Sequence, residues 1–373
     1  MNTTYELNNV RKDADVFSGK FTKQSPVVEI FAAMVNGKDL SKFGAKADKA
    51  VNYIKELGAR ADNGDFIAIS ELNTLRRFVV ETPVMEEMKL LSIFGSYTPV
   101  GYDETIEREI HIHSGERARE QAANGDVTFP VITKETYPVS TFTVSGGYAV
   151  DYRRVALGDM SKENEGMNQV KTTIMNKAMT AIVKKVYDAI CAATGVKYQF
   201  EGNGLTKSGV DKVITDVRRF GKPTVIADYA LLSQFTPWAG YVGQVNSNTI
   251  TGISDQIMNE LAQNGMLSMY NGTILSEMPN PYDLYTMNEA GDNFATLLPA
   301  GLGFVIPAGA KSPIATYTRG GLTSLTGNNV KTGKIETRFD IEVGCDVART
   351  QEYKIGTIYD ANVGGLDITV PRQ

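Results

Sequence analysis

The sequence predicts an α+β chain with its parts in a distinctive order: an N-terminal arm with helices, a long β-ribbon, one very long helix, a compact α/β unit and closing strands. Three observations lead there. Residues 105–113 alternate with a period of two, as a half-buried or solvent-facing strand does. Residues 161–194 repeat apolar side chains at three- and four-residue steps. Residues 205–320 alternate short helical patterns with short β-branched runs, which points to a packed α/β layer.

Residues 1–25 are polar and unpatterned, as expected of a flexible arm. Val27, Ile30, Phe31 and Met34 fall on one helical stripe, and Leu40, Phe43, Ala47, Val51, Ile54 and Leu57 on a second. Asp62-Asn63-Gly64-Asp65 ends this helical region with turn chemistry. Residues 70–95 read as two helical pieces, the second starting at Thr82-Pro83, with Thr as cap and Pro in the first turn. In the run 105–113, Glu107, Glu109, His111 and His113 face one way, and Ile106, Arg108, Ile110 and Ile112 the other. A polar stretch, Ser114–Asp126, forms the tip. The β-branched runs Val127–Ile132 and Val139–Val144 complete the ribbon. A two-stranded ribbon cannot bury both faces, so its apolar row implies a partner surface.

Ser161 is placed to cap the long helix, Glu163 and Glu165 lie near the positive end of its dipole, and Gly195 stops it. In the α/β unit, Ser208–Phe220 is a helix, Thr224–Ala227 a buried strand, and Asp228 caps the next helix. A loop holds Trp238, Gly240 and Gly243, and Ser254 opens another helix. Met266–Tyr270 and Thr273–Met278 form a hairpin about Asn271-Gly272, a favoured tight turn. Leu297–Ile306 is a further buried strand region. Lys334–Val343 and Tyr353–Tyr359 are strands expected to pair with each other.

Composition narrows the function. A net charge of -5 over 373 residues leaves no basic surplus for gripping phosphates. Two cysteines, Cys191 and Cys345, are too few for a disulfide framework and suit a reducing compartment. No apolar core of a signal peptide and no membrane-length apolar run is present, so no membrane partner is expected. The sequons at Asn2 and Asn271 carry no weight without a secretory signal.

Catalytic patterns are sparse. The two histidines, His111 and His113, share one strand face with Glu109, and a metal-dependent α/β enzyme could draw on them; a solvated ribbon face is the simpler account. Gly301-Leu302-Gly303 lacks the third glycine and following helix of a dinucleotide motif. No nucleophile elbow or paired metalloprotease histidines occur, and neither cysteine can be tied to a histidine by pattern. No catalytic residue, metal or cofactor is therefore assigned. The run Glu116, Arg117, Arg119, Glu120 is either a solvated loop or a set of inter-subunit ion pairs.

The order of parts resembles the major capsid protein of tailed bacteriophages, with the Hong Kong 97-like capsid fold. Thr82–Leu91 resembles the segment leading into the E-loop, Pro223–Leu232 the axial-domain strand and helix, and Lys334–Asp360 the closing strands, over about residues 70–365. The resemblance implies an N-terminal arm and helical extension at 1–65, an entry to the core at 66–96 and an E-loop ribbon at 97–157. It implies a peripheral domain with the spine helix at 158–200 and 321–373, and an axial domain at 201–320. It further implies a non-enzymatic subunit forming pentamers and hexamers of an icosahedral shell around double-stranded DNA, bound without specific recognition. Portal, scaffold and decoration proteins are the implied partners, the virion its place, and the bacterial host cytoplasm its site of synthesis. The ribbon would lie across a neighbour, placing Ile106, Ile110 and Ile112 there with Arg117, Arg119 and Glu120 at the tip. Trp238 and Tyr241 are candidate contacts in the axial part. An encapsulin-type nanocompartment shell is the alternative that keeps this fold. Lys134 is the lysine nearest the ribbon, and no cross-linking role is assigned to it.

Overall fold

The structure is a computed structural model. It describes residues 25–114, 131–150, 157, 161–238, 241–245, 248–252, 255–288, 291–308, 312–329 and 334–363. Helices α1 (Pro26–Val35), α2 (Ala45–Asp62) and α3 (Phe66–Met88) precede strands β1 (Ser96–Val100), β2 (Glu107–Ser114), β3 (Val131–Pro138) and β4 (Thr141–Val150). The long α4 (Ser161–Ala192) leads to β5 (Tyr198–Gly202), α5 (Lys207–Arg218), β6 (Pro223–Ala227), α6 (Tyr229–Leu232), β7 (Tyr241–Val245), β8 (Asn248–Gly252) and α7 (Asp255–Asn264). Strands β9 (Met269–Tyr270), β10 (Thr273–Glu277), β11 (Tyr282–Met287), β12 (Phe294–Thr296), β13 (Leu302–Pro307), β14 (Ile314–Asn329), β15 (Lys334–Val347) and β16 (Gly356–Asp360) complete it. The fold class is α+β, and the expected order of helices, ribbon, long helix, α/β unit and closing strands is the order found.

The chain divides into two compact units that are not consecutive in sequence. One comprises the chain up to Leu90, Phe142–Met179 and Thr318–Val343; the other comprises Leu91–Thr141, Thr180–Tyr317 and the chain from Gly344. The expected axial segment, 201–320, falls in the second unit up to Tyr317.

In the first unit, most of the two N-terminal stripes read from the sequence is buried, Val27, Ile30 and Phe31 on α1 and Ala47, Ile54 and Leu57 on α2, while Met34, Leu40, Phe43 and Val51 are half-buried. Each fully buried side chain of this kind contributes about 1.5–3 kcal/mol. Gly64, at φ 84°, makes the turn between α2 and α3. Helix α3 then departs from the expectation. It runs unbroken through Thr82 and Pro83, which are not a helix start. Pro83 removes one backbone donor, but Leu72, Leu75, Phe78 and Val80 before it and Val84 and Met88 after it are all buried. Packing on both sides of the proline outweighs the lost hydrogen bond.

Glu163 is not a solvated charge at the helix start. It is 1% exposed and paired with Arg76 of α3, also 1% exposed. Arg76 Nε donates to the Glu163 carboxylate at 3.1 Å, the Tyr148 hydroxyl of β4 donates at 2.9 Å, and Arg76 Nη1 reaches Thr337 Oγ1 of β15 at 3.5 Å. A second buried carboxylate, Glu71, accepts from the Tyr53 hydroxyl and joins α3 to α2. Along α4, Met167, Val170, Ile174 and Ala178 are buried, as the stripe predicts.

The second unit is built on a six-stranded sheet ordered β5-β16-β13-β6-β10-β9. β16 pairs parallel to β5 and antiparallel to β13, and β6 pairs parallel to β10. Val210, Val213, Ile214 and Val217 of α5 join Leu231, Leu232 and Phe235 over the face carrying Val225, Leu275, Val305 and Ile358. Gly356 permits this closeness, because a Cβ there would stand 2.6 Å from Val213 Cγ1. Two sequence signals are realised: the Asp228 carboxylate accepts from Ala230 N at 2.7 Å, and Asn271 and Gly272, at φ 48° and 72°, form the tight turn.

β15 and β16 do not pair, against expectation. β15 lies in a four-stranded sheet ordered β1-β14-β15-β4, while β16 is central in the six-stranded one. Every residue of β16 is buried, which only a central strand satisfies. No helix among the described residues is long and apolar enough to cross a membrane.

Two outcomes follow. Arg76→Met leaves Glu163 buried without its cation and lowers unfolding free energy by about 3–5 kcal/mol; adding Glu163→Leu recovers most of it, both read by guanidinium unfolding of unassembled chain. Burial pushes the Cys345 thiol up to about 12. A thiol reagent at pH 8 therefore titrates Cys191 but not Cys345 in native protein, and both after denaturation.

Candidate assembly surface

The ribbon is the first surface the sequence singles out. β2 and β3 pair antiparallel from Glu107↔Pro138 to Ser114↔Val131. A pairing of eight residues spans about 26 Å at roughly 3.3 Å per residue. Its root is anchored within the chain. Arg108 Nη1 donates to the Asp346 backbone oxygen at 2.8 Å and to its carboxylate at 3.0 Å. The Tyr137 hydroxyl donates to the same carboxylate at 2.8 Å, and Arg349 stands 4.3 Å over the Tyr137 ring. Burial, and then the adjacent Asp346 carboxylate, push the Tyr137 phenol up to about 12.

This anchor corrects the expectation for the apolar row. Ile106 is 3% exposed and Ile110 is 5% exposed, so both are already buried within the single chain, Ile110 against Tyr137 and Ala348. The side chains of Ile112, His111 and His113, and residues Arg117, Arg119 and Glu120, lie outside those described. On the opposite face Lys134 pairs with Glu109 at 2.6 Å.

Trp238 is half-buried in its own unit. Its indole meets Phe235 edge-on at 5.3 Å and Tyr270 at 6.0 Å, beside the α5 and α6 core. The next residues, expected as loop, form the β7–β8 hairpin, in which Tyr241 pairs with Gly252; the Tyr241 side chain lies outside those described.

A surface the sequence reading missed is the β11–β12 hairpin. Tyr285 is 96% exposed and Leu284 67% exposed, with Tyr282, Met287 and Phe294 also open. Its base is pinned: Asn280 accepts from Leu298 N at 2.9 Å and donates to Asp228 at 2.8 Å. Isolated exposed apolar residues are ordinary, but this many on one short hairpin mark an interaction surface. The signal was present as Tyr-x-Leu-Tyr-x-Met, but neither strand has a clean alternation.

Among the described residues no group of three or more His, Cys, Asp or Glu could hold a metal ion. A cleft of about 440 Å³ is lined by Gly147, Lys162, Glu165, Gln169 and Lys334 among others. Lys162 and Glu165 pair there at 2.7 Å.

The sequence model of one protein family, described as "SPbeta prophage-derived putative capsid protein YonB", matches residues 6–359. No curated protein matches the chain. Among solved structures, that of Mycobacterium phage Che8 is 11% identical, with 75% of this chain and 89% of that one covered and a TM-score of 0.43. The mature capsid of bacteriophage PhiM1 is 10% identical, covering 74% and 86%, with a TM-score of 0.42. The holo-SrpI encapsulin complex from Synechococcus elongatus PCC 7942 is 10% identical, covering 77% and 91%, with a TM-score of 0.43.

The ribbon anchor makes stability pH-dependent. The folded Tyr137 phenol titrates above its usual value of about 10, so its contribution is complete below pH ~10 and is lost as pH rises towards about 12. Tyr137→Phe flattens that alkaline slope in unfolding measurements between these values; Tyr187, also raised to about 12, leaves part of it.

The family match extends over nearly the whole chain, ribbon and closing strands included, and this chain therefore belongs to the YonB family of prophage-derived capsid proteins.

Proposed function

We propose that this chain is the repeating subunit of an icosahedral phage head, closing rings of five and six copies into a shell around double-stranded DNA. The family match over residues 6–359 carries this reading. In it the protein is structural and performs no catalysis. The α/β unit, expected at 201–320, surrounds the ring axis. The ribbon beyond its anchored root reaches the adjacent subunit, with Ile112, Arg117, Arg119 and Glu120 as its contacts. The chain is made in the bacterial cytoplasm and resides in the virion, where portal, scaffold and decoration proteins meet it. DNA lies in the lumen without specific recognition, in keeping with a net charge of -5.

Shell assembly suits the physics of these surfaces. A ribbon and a hairpin offer modest areas, and modest contacts repeated over a closed lattice give large avidity. Expression followed by size-exclusion chromatography and negative-stain electron microscopy tests the reading. Shells, rings of five or six, or tubes are expected. A chain that stays monomeric at high concentration with its neighbouring phage genes co-expressed overturns it. Shells enclosing a protein cargo in place of nucleic acid redirect it to a nanocompartment.

A further inference from the structure

Two surfaces of the second unit are complementary in charge. The β11–β12 hairpin sequence, 282–296, contains Asp283, Glu289 and Asp292 and no lysine or arginine. The helix α5 and its exit, 207–222, hold five basic and two acidic residues. In a chain of net charge -5, this segment carries a local basic surplus. α5 buries Val210, Val213, Ile214 and Val217 against the sheet and leaves Lys212, Arg219 and Lys222 exposed. Lys212 and Arg219 are about two turns apart, on one side of the helix.

We propose that the β11–β12 hairpin of one subunit docks on the basic outer face of α5 in a second copy of this chain. This rests on the shell-subunit reading above. Tyr285 and Leu284 lie against the aliphatic stems and guanidinium of Arg219 and its neighbours, as exposed aromatics pair with arginine at interfaces. Asp283 and Asp292 face the positive charge. The pinned base at Asn280 holds the hairpin ready, so docking orders little new chain. The contact joins two different patches, and it therefore propagates head to tail, forming a ring where its rotation closes, while a self-complementary patch would stop at a dimer.

The test uses full-length chain with sedimentation velocity and electron microscopy, folding being checked by circular dichroism. Lys212→Glu with Arg219→Glu, and separately Asp283→Lys with Asp292→Lys, each raise the concentration needed for assembly by about tenfold or more. All four substitutions in one chain restore it towards the parent. Tyr285→Ser, at a side chain that is 96% exposed, weakens assembly without changing the melting temperature. If the parent assembles and the reversals assemble equally well, or folded four-site chain shows no recovery, the docking is wrong and the shell reading stands. If the parent forms no oligomer even at high concentration with its neighbouring phage genes co-expressed, the shell reading itself fails and takes the docking with it.

Discussion

The first unit is organised around one buried carboxylate. Glu163, near the start of α4, is held by Arg76 of α3 and the Tyr148 hydroxyl of β4, and Arg76 reaches on to Thr337 of β15. Two helices and two strands thus meet at a single polar point inside an apolar core. Neighbouring packing depends on it. A Cβ at Gly166, one turn along α4, would stand 2.7 Å from the Tyr148 ring, so only glycine lets that ring lie on the helix. Tyr148 in turn stacks on Phe339 at 6.0 Å. A purely apolar core could slide by a helical turn. A buried ion pair with defined partners permits one register, which is the role best attested for such pairs.

The second unit solves a related problem with Asp360. Its buried carboxylate accepts from Gly204 N at 2.7 Å, Asn362 N at 2.9 Å and Gln234 Nε2 at 2.8 Å. Asp346 does the same at the ribbon root. In each case a short acidic side chain ends a strand and collects donors from segments distant in sequence. The apolar layers supply the stability, and these carboxylates fix how the layers align.

Much of this was legible in the sequence, for physical reasons that differ by element. The stripes of α1, α2 and α4 were readable because burial on one side imposes a helical period. Asp228 and Asn271-Gly272 were readable because their chemistry is local. Where several distant segments decide the outcome, local reading failed. Helix α3 passes Pro83 because of packing on both sides. β15 and β16 look alike as alternating strands, yet burial of both faces of β16 sends them to different sheets. The 16-residue β14 was missed because its glycines, threonines and asparagines read as loop. Ile110 was placed on a neighbour because nothing near it in sequence reveals Ala348 as its cover. Glu163 was readable only as a charge near the positive end of the helix dipole, and only the fold brings Arg76 to it.

The central place of β16 bears on the timing of synthesis. This strand, Gly356–Asp360, lies between β5 and β13, so the six-stranded sheet is interrupted until residue 360 has been translated and released. Helix α5 cannot complete its packing before then, because Ile358 belongs to the same core. Domains generally fold as units as they leave the ribosome, and long-range pairings form late. The second unit of the nascent chain therefore stays open until β16 has emerged. On the proposed shell-subunit reading, copies growing side by side on one messenger RNA do not yet carry a finished second unit with which to meet.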